Sequence, residues 1–190
     1  FLRQVRRQRR SLLTAYEAYT LYSVAAAYRD LPGAMAEVGV FQGASARVLC
    51  EAKGAKDLHL FDTFEGLPRA SSADGAVHDP RQYPCSLESV REYLKGYENV
   101  HFHKGLFQES AAGLGDRKFC VVHLDVDLYE STRAGLEYFY PRMIPGGIIV
   151  SHDYSILAGV KRAFAEFLAD KPERPIELPS TQCMLVKLGS

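Results

Sequence analysis

Nothing in these 190 residues favours a membrane, a disulfide framework or a nucleic-acid partner. No apolar run approaches the roughly 18 residues a membrane span needs, and no secretory signal is visible. The four cysteines, Cys50, Cys85, Cys120 and Cys183, lie far apart with no C-x-x-C pair. That spacing excludes a zinc ribbon and suits scattered core thiols in a reducing, cytoplasmic compartment. Lys plus Arg and Asp plus Glu both number 23, so the formal net charge is zero. No overall field draws in nucleic acid or an acidic partner. Internal repeats and low-complexity tracts are also missing. The chain begins with Phe1 rather than Met, and a trimmed N-terminus is expected.

What is there suits one domain, 1–190, with a full core, since 47% of the residues are hydrophobic. Arg3, Arg6, Arg7, Arg9 and Arg10 crowd the first ten positions and read as a solvated helix face or frayed end, with an anionic-ligand or partner contact as the alternative. Residues 1–30 form an N-terminal helical segment, with Leu12, Leu13, Tyr16, Tyr19, Leu21 and Tyr22 spaced for one apolar face. That face suits either the chain's own sheet or a second subunit, so a homodimer stays open. Beyond Leu31-Pro32-Gly33, strands and helices alternate. Strands are expected at Met35–Val40, Leu58–Asp62, Asn99–Gly105, Phe119–Asp125 and Ile148–Tyr154. Helices are expected at Ala44–Lys53, Ser86–Tyr97, Ser131–Met143 and Gly159–Asp170. The last residues read as a hairpin. The alternation predicts an α/β fold: a Rossmann-like, doubly wound, mostly parallel sheet of about seven strands with an antiparallel C-terminal edge hairpin. Thr63 to Cys85 breaks the rhythm, and a stretch of that length without periodicity reads as a lid loop.

Two segments carry the chemistry. HLDVDLYEST (His123 to Thr132) and SHDYS (Ser151 to Ser155) each follow an apolar run. Asp125, His152 and Asp153 therefore fall just past the carboxyl ends of two neighbouring strands, where open α/β sheets bind ligands. Two carboxylates and an imidazole there suit a divalent cation and a proton acceptor. Asp127 reads as a turn or capping residue ahead of a helix, with direct catalysis as the alternative. His123, His101 and His103 read as structural. Tyr129 and Tyr154 flank the site, with packing and substrate contact both open.

Between the first strand and first helix stands Glu37-Val-Gly39-Val-Phe41-Gln-Gly43-Ala-Ser45. Its glycines permit a tight turn and close ligand approach, and the following helix offers free N–H groups. This is not the dinucleotide G-x-G-x-x-G pattern. Glu37 disfavours a pyrophosphate but suits an ammonium group. Asp62, closing the second strand, stands where a βαβ unit presents an acid to ribose hydroxyls. An amino-acid-bearing nucleoside fits this set, with ribose on Asp62, the amino group near Glu37 or Gly39 and the carboxylate near Ser45. The matching ligand is S-adenosylmethionine.

The stretches AEVGVFQGASA, LHLFDTFEGLP, HLDVDLYESTRAGLEYFYPRMIPGGIIV and HDY resemble the macrocin O-methyltransferase (TylF-like) group of class I methyltransferases, over roughly Leu31 to Asp170. The resemblance implies a magnesium-dependent O-methyltransferase of natural-product biosynthesis, acting on a small-molecule hydroxyl of a sugar, diol or catechol. It implies that Glu37, Gly39, Phe41, Gly43 and Ser45 line the methionine part of the cofactor. Asp62 then holds the ribose, and Gly105, Phe107 and Gln108 approach the adenine. Asp125 binds the metal and is a candidate base, with His152 and Asp153 as further metal ligands. His152 stands where the family usually has an acid. Imidazole suits softer ions, so Mg²⁺ shares the expectation with Mn²⁺, Fe²⁺ and Zn²⁺, and His152 is alternatively a base. The N-terminal lid of longer members is expected to be short. The competing readings are a non-catalytic S-adenosylmethionine-binding module and a nucleotide-sugar or NAD enzyme of the same fold.

Overall fold

Short apolar runs separated by amphipathic stretches become seven strands and seven α-helices among residues 1–74, 79 and 81–189, which the computed structural model describes. In chain order they are α1 (Leu2–Gln8), α2 (Ala15–Tyr28), β1 (Ala34–Val38), α3 (Ala44–Ala52), β2 (Leu58–Asp62), α4 (Leu87–Leu94) and β3 (Val100–Lys104). Then follow α5 (Phe107–Ser110), β4 (Phe119–Leu124), α6 (Tyr129–Phe139), β5 (Met143–Ser151), α7 (Ala158–Phe167), β6 (Ile176–Glu177) and β7 (Cys183–Val186).

The strands form one sheet of order β3-β2-β1-β4-β5-β7-β6. β1 to β5 pair in parallel, while β7 runs antiparallel to both β5 and β6. The expected doubly wound sheet is therefore present. Its last strand in sequence is inserted between β5 and a two-residue edge, β6. Every residue of β1 and β4 is buried, as a parallel strand covered on both faces requires. Ala36, Val38, Val122, Leu124 and Phe139 fill one core layer with α6 and α7. Met35, Leu60, Val121, Leu21 and Leu49 fill the other with α2, α3 and α4.

Three local expectations are corrected. First, the N-terminal segment is two helices. Thr14 starts α2 with a capping box: its hydroxyl accepts from Glu17 N, and Glu17 Oε2 accepts from Thr14 N at 2.8 Å, which reciprocally satisfies two orphan donors. The buried face of α2 runs through Glu17, Ala18, Leu21 and Ala25. Tyr16 and Tyr19 remain 82% and 63% exposed, off the expected stripe. Second, Arg9 is not a solvated cation, because its guanidinium donates to Ser89 Oγ and Ser89 O at 2.8 and 2.9 Å. Third, the helix expected over Ser131–Met143 runs from Tyr129 to Phe139. Pro145-Gly146-Gly147 bulges within β5, where the register with β4 shifts and Gly146 takes φ 78.

Candidate active site

β1 lies between β2 and β4, at the point where successive crossovers change direction, and the loops after such strands diverge to leave a crevice. A cavity of about 270 Å³ opens there, walled by the turns that follow β1, β2, β3 and β4. Gly39 makes this closeness sterically possible. It takes φ 88, and a Cβ on it would stand 1.8 Å from Asp125 O. Asp125 N in turn donates to Val38 O at 2.9 Å.

Most of the sequence-predicted cofactor residues reach the wall: Gly39, Phe41, Ser45, Asp62, Gly105, Phe107 and Gln108. Two do not. Glu37 is completely buried and stands opposite His123 across the β1/β4 pair, with His123 Nδ1 2.9 Å from Glu37 Oε1. Burial pushes its carboxyl above the usual range, against the hydrogen bonds from His123 and Ser45. It lies inside the sheet, behind the cavity wall. Gly43 is the left-handed N-cap of α3 and faces α4, where a Cβ would lie 3.0 Å from Val90 Cγ1. Asp62 organises the loop. Its Oδ2 accepts from Val40 N and Phe41 N at 2.7 and 2.9 Å, and its Oδ1 from Phe64 N at 2.7 Å. A carboxylate offers about four acceptor sites, so capacity remains for a hydroxyl.

Asp125, His152 and Asp153 converge as expected, each with one ligand atom within 4.8 Å of the others. His152 Nδ1 lies 2.9 Å from Asp153 Oδ2 and 3.4 Å from Asp125 Oδ1, and it makes no aligned hydrogen bond to either. On its far side Nε2 lies 3.3 Å from Thr181 Oγ1 and 3.5 Å from Glu17 Oε2. Burial alone would lower the imidazole. The Asp125 and Asp153 carboxylates outweigh it and hold the ring up to about 11. Asp125 is pulled below its ordinary value, because the fields of His152 and His123 overcome its burial. Two carboxylates around a buried, orphaned Nδ1 form a donor set that fits a divalent cation, provided the imidazolium proton leaves.

Asp127, for which the sequence leaves a turn and a catalytic role open, belongs to this cluster. It does not cap α6, whose N-cap Leu128 has no side-chain bond. Its carboxyl faces the cavity beside Asp125. Burial, the Asp125 charge and Asp153 raise it well above the carboxylate range. Asp127 and Asp153 both take left-handed backbone, φ 59 and 58, a strain that clusters at functional sites. The D-x-D spacing past a buried strand was the available signal. Glu17 had none, because it enters from α2 through the tertiary fold. Burial would raise its carboxyl, but bonds from Thr181 and Thr14 hold it down to about 2.

The Thr63–Cys85 stretch roofs the cavity. Residues 75–78 and 80 lie outside the described residues, so the lid reading concerns the rest. Its two arms are tied by Leu67 N to Gln82 O at 2.8 Å and Arg81 N to Leu67 O at 3.0 Å. Tyr83 packs edge-on against Phe41. Asp74, only 7% exposed, accepts from Ser71 N and Oγ through Oδ2, and its Oδ1 accepts from Tyr129 N at 2.5 Å. It supplies the missing cap of α6 from the roof. Arg10, from the N-terminal basic cluster, and Arg69, which no motif indicated, also reach the wall. Tyr129 and Tyr154 pack instead: the former bonds Glu166 at 2.6 Å and the latter stands edge-on to Phe164.

Comparison with known proteins bears on the family and the fold. The Macrocin-O-methyltransferase (TylF) family model matches residues 20–182. The chain is 33% identical over 142 residues to the 8-demethyl-8-(2,3-dimethoxy-alpha-L-rhamnosyl)-tetracenomycin-C 4'-O-methyltransferase of Streptomyces olivaceus, covering 66% of this chain and 54% of the relative. It is 30% identical to the mycinamicin III 3''-O-methyltransferase of Micromonospora griseorubida, covering 72% of this chain and 61% of the relative. The match thus spans little more than half the length of these curated relatives. Among solved structures, the O-methyltransferase NovP shares the fold with TM-score 0.79 at 21% identity, covering 94% of this chain and 82% of that one. No helix among the described residues is long and apolar enough to cross a membrane. The chain belongs to the macrocin O-methyltransferase family.

Proposed function

We propose that this protein moves a methyl group from S-adenosylmethionine to a hydroxyl of a small sugar-bearing natural product. The observation that carries the reading is one cavity with two unlike walls. One wall is the Gly39–Ser45 loop organised by Asp62, and the other presents Asp125 and Asp127. Methyl transfer is an in-line displacement, and alignment alone supplies ~7–11 kcal/mol in well-oriented cases. The first wall would orient the donor, with its ribose on Asp62 and its adenine along Gly105 to Gln108. The second would orient the acceptor hydroxyl and take its proton. Asp125 is charged at neutral pH, whereas Asp127 is raised by its neighbours and acts as an acceptor only after losing its own proton. Asp125, Asp153 and His152 would hold a divalent cation. When bound, it supplies Lewis acidity that lowers the pKa of a coordinated hydroxyl. The roof from Thr63 to Cys85 would act as a lid that excludes water from the transfer.

Two measurements test this reading. Calorimetric titration should give one S-adenosylmethionine site per chain, and no heat at millimolar ligand would remove the donor. Transfer of a labelled methyl group to a panel of sugar-bearing acceptors should stop on exhaustive chelation and return with added divalent ion. Transfer that survives chelation would remove the cation from the mechanism while leaving the donor site in place.

A further inference from the structure

A second cluster of ionisable side chains lies at the opposite end of the sheet. β2 and β3 are parallel neighbours, with His59 opposite His101 and Phe61 opposite His103. Side chains two apart on a strand share a face, so the three imidazoles gather on one side. His59 and His101 stack with ring centres 4.8 Å apart. Asp57, one residue before β2, reaches the same place, with its Oδ1 2.8 Å from His101 Nε2. One ligand atom from each of Asp57, His59 and His101 lies within 4.8 Å of the other two.

The surroundings of this trio resemble the outer shell of a metal site. Ligating carboxylates are usually hydrogen-bonded, and a ligating histidine usually has its second nitrogen held by another group. Here Arg117 Nη1 donates to Asp57 Oδ2 at 2.9 Å. His103 Nε2 stands 3.0 Å from His59 Nδ1. That leaves His59 Nε2 free. The ring is only 3% exposed, yet this nitrogen has no partner among the described residues. Buried polar atoms are seldom left unpaired, and each exception calls for an explanation.

We propose that Asp57, His59 and His101 form a binding site for a late first-row divalent cation such as Zn²⁺. Two imidazoles and one carboxylate are a zinc-type donor set, whereas Mg²⁺ prefers oxygen alone. The His101 side chain is 45% exposed, which gives the ion an entry path and leaves the fourth position to water. On loading, His101 exchanges its bond to Asp57 for one to the ion, and any proton on that nitrogen leaves to solvent. The consequence is mechanical: the ion ties β3, the edge of the sheet, to β2.

The test uses the full chain. A crystal soaked in zinc chloride should show an anomalous-scattering peak ~2.1 Å from ligand atoms of Asp57, His59 and His101. In solution, zinc should raise Tm by at least about 5 °C at a hundredfold excess over Kd. This is measured in an Asp125→Asn, Asp153→Asn background, so that the active-site cluster does not contribute. His101→Ala and His101→Gln should each abolish that rise, and either one placed alone in the otherwise unaltered chain should leave methyl transfer unchanged. A soaked crystal with zinc only at Asp125, His152 and Asp153, or with no zinc at all, overturns the proposal. So does an undiminished zinc shift in either His101 variant.

Discussion

The two ends of the sheet carry the same two residue types in opposite proportion, and the proportion decides the charge. At the carboxyl end, one imidazole, His152, stands among Asp125, Asp153 and Glu17, and their fields outweigh burial and hold it up to about 11. At the amino end, three imidazoles share Asp57. Burial, together with the fields of His101 and Arg117, pushes His59 down to about 4, and His103 is lowered for the same reasons. The ring is thus raised in one cluster, His152, and lowered in the other at His59 and His103. A neutral ring is a ready metal ligand, whereas a charged one must first surrender its proton. Cation binding at the carboxylate end should therefore strengthen with rising pH.

The largest effect expected is on folding. His152→Ala leaves several buried carboxylates without their cation, and breaking such a pair costs about 3–5 kcal/mol. Urea unfolding in chelator should show that loss. A loss under 1 kcal/mol would mean that the imidazole is not what balances this cluster. His101→Ala, at the exposed amino-end cluster, should cost far less.

Next is chemistry. Asp125→Asn should slow methyl transfer by about 10²-fold or more, with S-adenosylmethionine affinity kept within a few-fold by calorimetry. His101→Ala should leave the rate unchanged. Equal losses in both variants would erase the functional distinction between the two ends.

The pH dependence of stability separates the clusters by sign. His59 titrates near 6.5 unfolded and near 4 folded. Between those values only the unfolded ring binds a proton, so stability should fall as pH drops, at ~1.4 kcal/mol per unit. His59→Gln should flatten that segment of the curve in metal-free buffer. His152 has the opposite sign. Its folded value is raised, so its contribution is fully present below 6.5 and is lost as pH rises toward about 11.

Smaller still is the roof. Asp74→Ala removes the cap that the roof gives α6 and should cost ~1 kcal/mol. If the roof orders the acceptor, KM for the acceptor should rise several-fold while donor affinity stays put. The smallest effect is at Lys104, whose exposed pair with Glu65 at 3.1 Å should contribute under ~1 kcal/mol. A larger loss in Lys104→Ala would show that surface charge matters more here than burial does.

The strand–helix rhythm was legible because parallel strands buried on both faces must read as apolar runs, and β1 and β4 do. Asp62, Asp125 and Asp153 were legible because residues just past such runs are carried to one edge of the sheet. The burial of Glu37 was not legible, because a motif position does not say which way a strand residue points. Its place opposite His123 depends on the β1/β4 register. For Asp127 a turn and a catalytic role stayed open, because left-handed backbone and turn chemistry look alike in sequence. Glu17 and Asp74 were not legible at all. They come from α2 and the roof, neither of which is periodic with the site.

The sequence alone determined the layers, the crevice and the carboxylates at its edge, because period and burial are local properties of a chain. Only the tertiary structure decided which histidine is raised and which is lowered. That depends on how many carboxylates lie within a few ångströms of each ring. Residues such as Glu17 and His152, far apart in the chain, meet only when α2 packs against the sheet.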